Sequence, residues 1–290
     1  MNCAGGGNGR NSACSLLPRG ARRVDFFNIV ALAVVQSVTE FLPVGSEAHV
    51  AMASRVLPLA DLAESLMIPV HLGTVLAVLV YFHSELLAAV LGTYHLAIGR
   101  SSDNARLTVK LFVGSVPVIA VGAALILLDM QPDGETSLLM LGWTMVGFGA
   151  LLFLADRMGM TLRRIEHMSG ATALAIGLAQ AIALVPGAGR IGVTMTAARL
   201  LGFERTDAAR FAMLLGVVPI LAFAAWHAWT LARTQGWTMG TEGAIAAGVA
   251  FVAALAAIAF LMQWLKRGTL APFALYRLLI GAALLYTVYA

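Results

Sequence analysis

The chain alternates long apolar runs with short polar breaks. Residues 66–82, 107–128, 137–155, 211–232, 245–265 and 272–289 are each close to the length that crosses ~30 Å of hydrocarbon as a helix of about 20 residues. Two further runs, 25–42 and 170–185, stop at Pro43 and Pro186, which cannot continue a helix. Each proline opens a glycine-containing elbow. A short piece follows, to 57 in one case and 201 in the other, and both suit re-entrant segments rather than crossings. Residues 83–99 carry Glu85, Tyr94 and His95 and read as interfacial. The polar stretches 61–65, 100–106, 129–136, 156–169 and 202–210 read as breaks or loops. In 156–169, Asp156, Arg157, Arg163, Arg164 and Glu166 read as solvated.

The elbows recur. Gln36 precedes Pro43 by seven residues, and Gln180 precedes Pro186 by six. Thirty residues separate Pro43 from Gly73, and again Pro186 from Gly216. A Gly-x-x-Pro kink appears at Gly114 to Pro117 and at Gly216 to Pro219. Paired broken helices in corresponding halves point to a site at the repeat interface. The expected fold is an all-α integral membrane protein, a polytopic helical bundle with two re-entrant helix hairpins in inverted repeats. A basic, disordered tail is expected over 1–24 and a single membrane domain over 25–290, with halves near 25–128 and 137–290.

Composition agrees with the pattern. Of the 290 residues, 60% are hydrophobic and 12% charged, against roughly 25% charged in soluble domains; mean hydropathy is +0.85. The net charge of +4 does not signal nucleic acid, because most basic residues lie between apolar runs, where they anchor at the headgroups. Cys3 and Cys14, the only cysteines, lie in the tail and can form no disulfide framework for the core. Arg10, Arg19, Arg22 and Arg23 favour a cytoplasmic N-terminus, and the tail lacks the apolar stretch of a cleaved signal. No Walker loop is present, which argues against direct ATP hydrolysis, and no Cys or His cluster has zinc spacing.

The chemistry concentrates in the elbows. Charged groups inside lipid-length segments are costly and usually face a cavity where they act. In the second elbow, Pro186, Gly187, Gly189, Arg190, Gly192 and Thr194 describe an anion pocket. Glycines let the backbone approach a ligand, helix-start N–H groups point at it, and the guanidinium fork matches phosphate. The alternative is a packing kink with Arg190 snorkelling to an interface. The first elbow supplies Glu40, a base or cation ligand, Ser46, a nucleophile that needs activation, and His49, a proton carrier one helical turn from Ser46. A hydrogen-bonded core histidine is the plain alternative for His49. Glu47 is expected to point away from the face that Ser46 and His49 share.

These two stretches resemble the undecaprenyl-diphosphate phosphatase family, also known for bacitracin resistance. The family's first element, Glu/Gln-x-x-x-Glu running into Phe-Leu-Pro-Val-Ser-Ser-Thr-Gly-His, reads here from Gln36 through Glu40, Pro43, Gly45, Ser46, Glu47 and Ala48 to His49. Its second, Pro-Gly-x-Ser-Arg-Ser-Gly-x-Thr, reads from Pro186 through Gly189, Arg190 and Ile191 to Thr194. Further likeness runs through 71–78, 213–219 and 272–277.

The resemblance implies a multi-pass enzyme of the bacterial inner membrane that removes the terminal phosphate of a C55 polyprenyl diphosphate and so recycles the cell-wall lipid carrier. It places Glu40, Ser46, His49 and Arg190 in catalysis, and Gln36, Gly187, Gly189 and Thr194 in substrate binding. It implies a divalent cation, Mg2+ or Ca2+, with Glu40 as ligand. Expected partners are the polyprenyl diphosphate and membrane lipids, with a homodimer left open. Gly45, Gly189 and Ile191 stand where the family has serines, so restoring serine at 189 and 191 is expected to raise activity. The same losses keep open a carrier or flippase for polyprenyl phosphate or another anionic lipid, with lapsed phosphatase chemistry.

Overall fold

The computed structural model describes residues 26–56, 60–128, 130, 138–159, 163–235 and 240–290. The tail over 1–24 and most of the 129–136 loop lie outside the described residues. Eleven α-helices follow in order: α1 Phe26–Phe41, α2 Ser46–Val56, α3 Ala60–Tyr81, α4 His83–Ala97, α5 Asp103–Leu127, α6 Leu138–Met158, α7 Gly170–Ile182, α8 Arg190–Leu200, α9 Arg205–Gln235, α10 Thr241–Leu265 and α11 Ala271–Tyr289. Among the described residues there is no strand, only an isolated bridge between Arg163 and Phe203.

Among the described residues five helices are long and apolar enough to cross a membrane, at α5, α6, α9, α10 and α11, making this a multi-pass membrane protein. The apolar window of α9 is 61% buried, against 28–33% for the other four. Thus α9 is the central post, and the rest turn much of their apolar surface outward, as lipid-facing helices do. The expected interfacial segment is α4, which leaves the end of α3 at 89°. The break falls at Phe82, itself buried at 3% exposure. Helix also extends into several expected polar breaks: α3 starts at Ala60, α5 at Asp103 under the Ser102 cap, and α9 at Arg205.

The loop 156–169 is not uniformly solvated. Asp156 is buried at the end of α6. Its carboxylate accepts Arg205 Nε at 2.7 Å, Arg205 Nη2 at 3.2 Å and the Leu270 N–H at 3.0 Å. Arg199, fully buried in the last turn of α8, lies 3.4 Å from the same carboxylate and donates to the Phe203 and Gly159 carbonyls. One residue therefore ties together the ends of α6 and α8 and the starts of α9 and α11. Charge in a loop usually means solvent, but here two guanidinium groups and the backbone N–H at the start of α11, which would otherwise be orphaned, converge on it.

Candidate functional site

Each elbow ends on a glycine with positive φ, Gly45 at 83° and Gly189 at 73°, a region that favours glycine. A helix of 11 residues begins directly after each, α2 at Ser46 and α8 at Arg190. The two chemistry-bearing residues therefore hold equivalent first positions. The elbows touch: a Cβ built on Gly189 would lie 3.0 Å from Gly45 Cα.

This contact brings Glu40, Ser46 and Arg190 together. Ser46 Oγ donates to Glu40 Oε2 at 2.7 Å, and Arg190 Nη2 donates to Glu40 Oε1 at 3.1 Å. Glu40 and Arg190 are 16% and 13% exposed at the side chain, so the pair is sheltered but reachable. Arg190 Nη1 rests against Gly216, where any side chain would overlap it, and makes a long 3.5 Å contact with the Ala212 carbonyl. Gly216 is the residue that the thirty-residue spacing from Pro186 singled out.

His49 does not contact Ser46 through a hydrogen bond. Its Nδ1 faces the Gly45 carbonyl at 2.6 Å, and its Nε2 faces the Tyr276 hydroxyl at 2.7 Å, with the two rings stacked 5.5 Å apart. A carbonyl only accepts, so Nδ1 carries the proton, and in the neutral ring Nε2 accepts the hydrogen bond that the tyrosine O–H donates. The partner of Ser46 is Glu40.

The Thr194 hydroxyl is also engaged, donating to the Arg190 carbonyl at 2.7 Å, and the residue is fully buried. Gln36 lies one turn before Glu40 on α1 and is half-buried. Its counterpart Gln180 is buried with no partner at either end of its amide among the described residues. Gly187, at φ 81°, is gripped from both sides: its N–H donates to Glu47 and its carbonyl accepts Arg277 Nη2 at 2.9 Å.

Sequence reasoning missed Glu47, Arg277 and Tyr276 as parts of this assembly. Glu47 does point away from Ser46, but towards the opposite elbow, where it closes the junction. Arg277, fully buried on α11, places Nη1 near Gly45, Gly189 and Gly192. A lone arginine within an otherwise apolar run was the available signal for it. The expected gain from serine at 189 and 191 also conflicts with the geometry. Ile191 is 1% exposed in the main core, and a Cβ at Gly189 would press on Gly45 and on Arg277 Nη1 at 3.1 Å.

For a divalent cation, the elbow offers two neighbouring oxygen donors, the Glu40 carboxylate and the Ser46 hydroxyl. These are hard ligands, and Mg2+ commonly takes one or two carboxylates together with substrate phosphate and water. Among the described residues no group of three or more His, Cys, Asp or Glu forms a closed metal cage.

A family model described as bacitracin resistance protein BacA matches residues 29–283. An undecaprenyl-diphosphatase 1 of Rhodospirillum rubrum is 43% identical over 268 residues, covering 90% of this chain and 94% of its own. An undecaprenyl-diphosphatase of Maricaulis maris is 44% identical over 260 residues, covering 89% and 97%. One of Nitrosococcus oceani is 38% identical over 267 residues, covering 91% and 99%.

Proposed function

The chain belongs to the bacitracin resistance protein BacA family, and from that premise we propose that it hydrolyses undecaprenyl diphosphate to the monophosphate in the bacterial inner membrane. The observation that carries the reading is the Ser46–Glu40–Arg190 arrangement at the junction of the elbows. A hydroxyl held by a carboxylate beside an accessible guanidinium is a nucleophile, a base and an anion holder in one place.

In this reading Ser46 Oγ attacks the terminal phosphorus as its proton passes to Glu40. The bond from that phosphorus to the bridging oxygen breaks, and Glu40 returns the proton to the departing lipid monophosphate. Water then attacks the phosphoserine. Its proton reaches Ser46 Oγ through Glu40, and inorganic phosphate leaves. Arg190 neutralises charge on the non-bridging oxygens throughout. Glu47 and Arg277 hold the second elbow in place. Glu40 would hold a divalent cation, which when bound supplies further charge neutralisation.

The same reading includes two re-entrant hairpins of opposite direction. At 1.5 Å per residue, α7 and α8 reach only about 20 and 16 Å. The turn before α7 is tied to the start of α9 through Ile165 and Asp207, and the end of α8 through Asp156 and Arg205. Both outer ends thus meet one face. The first hairpin packs Ile29, Val50 and Ala53 around Ala246, near the start of α10. The end of α10 meets Asp156 through the following Leu270, so its start lies at the opposite face.

The test is phosphate release from C55 diphosphate by the purified protein, with and without Mg2+ or Ca2+. Release from wild type and none from Ser46→Ala supports the reading. Tight lipid binding without release would favour a carrier instead.

A further inference from the structure

A cavity of about 520 Å³ lies away from the elbows, between the end of α4, the start of α5 and the start of α7. Its cations are Arg100, Arg106 and Lys110; among the described residues no carboxylate lines it, and the nearest acids, Asp103 and Glu166, line the adjoining cavity that shares Arg106 and Lys110. Arg106 is paired with Asp103 at 2.8 Å, but Arg100 is exposed, and Lys110 makes only a 3.4 Å contact with the Ile165 carbonyl. Leu96, Val109 and Met168 give the cavity an apolar wall. A site for free phosphate would not need that wall.

The surroundings set its depth. The helix α4 turns across the end of α3 at 89° and exposes Leu87, Val90, Leu91 and Tyr94, each at 51% or more. A helix lying across the bundle with such a face belongs at the headgroup boundary. From the cavity a stripe of exposed side chains climbs α5 at helical spacing: Val109, Phe112, Val116 and Ile119. Cations at the boundary with an apolar track leading into the hydrocarbon match a lipid that bears one phosphate and acyl chains. Basic pockets between membrane helices bind such headgroups.

We propose that this cavity binds the phosphate headgroup of an anionic glycerophospholipid, with an acyl chain lying along α5. The site is independent of the hydrolytic one, so its test does not depend on turnover.

The experiment is native mass spectrometry of the full chain released from micelles containing equal phosphatidylglycerol and phosphatidylcholine. Wild type is expected to retain one phosphatidylglycerol in preference to phosphatidylcholine. The double variant Arg100→Gln/Lys110→Gln is expected to lose that preference by about thirtyfold. Ser101→Glu, which places a negative charge on the rim without removing a contact, is expected to lower it as well. Phosphate release by both variants, in a detergent without phospholipid, should match wild type. Undiminished preference in both variants would overturn the proposal. So would an equal loss in Arg267→Gln, which alters only general surface charge, or displacement of the lipid by millimolar inorganic phosphate. Preferential retention of a polyprenyl monophosphate over phosphatidylglycerol would reassign the cavity to the product.

Discussion

Two clusters of arginine and carboxylate lie within the bundle, chemically alike but differently completed. At Asp156 the carboxylate is surrounded by Arg205, Arg199 and the Leu270 N–H, and the Asp156 and Arg199 side chains are 3% and 0% exposed. At Glu40 the carboxylate has one guanidinium and one hydroxyl, and the pair keeps 16% and 13% of its surface open. The first cluster leaves little capacity for a ligand. The second leaves Arg190 with donors for an anion and Ser46 with a base. What separates a structural ion pair from a reactive one here is the unfilled part of its hydrogen-bonding capacity.

That difference predicts opposite phenotypes. Asp156→Ala should cost stability by about 3–5 kcal/mol, because Arg199 is left as an uncompensated buried charge. Thermal unfolding in detergent should show a lower Tm, while phosphate release per folded molecule stays near wild type. A wild-type Tm would mean that the cluster is dispensable. Arg190→Ala should do the reverse, with Tm held and rate down by about 10²–10³, the usual cost of losing a donor to transition-state charge. Arg190→Lys should not restore it, since a point charge cannot hold Glu40 and phosphate together. Lysine at wild-type rate would reduce Arg190 to a mere cation.

A smaller effect separates the elbows from the family pattern. Gly189→Ser should destabilise by about 2 kcal/mol, from left-handed backbone strain alone, with added pressure on Gly45 and Arg277. Gly45→Ser carries the same backbone strain at φ 83° but adds less pressure, because its Cβ would meet the flexible Met145 side chain and the Gly187 carbonyl no closer than 3.2 Å. Higher Tm or faster turnover in Gly189→Ser would show that the junction can open without penalty.

The sequence made the spans legible because an apolar run of membrane length has few alternatives. It also placed Glu40, Ser46 and Arg190, since a charge or hydroxyl in such a run needs a reason. It could not show that Asp156 is buried, because burial there depends on three helix ends meeting. Nor could it show that Glu47 crosses to Gly187, a contact between residues 140 positions apart. Substitutions read one at a time looked like losses. In the fold, Gly45 and Gly189 are the two sides of one close contact, and Glu47 and Arg277 grip the loop beside it.

His49 tests where the boundary between the two kinds of cluster falls. Both of its ring nitrogens are engaged, as at Asp156, yet it sits in the elbow beside Ser46. The Tyr276 hydroxyl donates to Nε2 of the neutral ring and would accept from it if the ring were protonated, so it serves either state. Tyr276→Phe removes that partner and keeps the stacked ring. One hydrogen bond is worth about 0.5–1.5 kcal/mol, or roughly a two- to tenfold change. If His49 takes part in turnover, the change should appear in kcat with Tm unmoved, and the 15N signals of His49 should shift as Nε2 loses its donor. If His49 is a core histidine of the Asp156 kind, Tm should fall by a few degrees and kcat should hold. A variant that shifts neither would place Tyr276 outside both clusters.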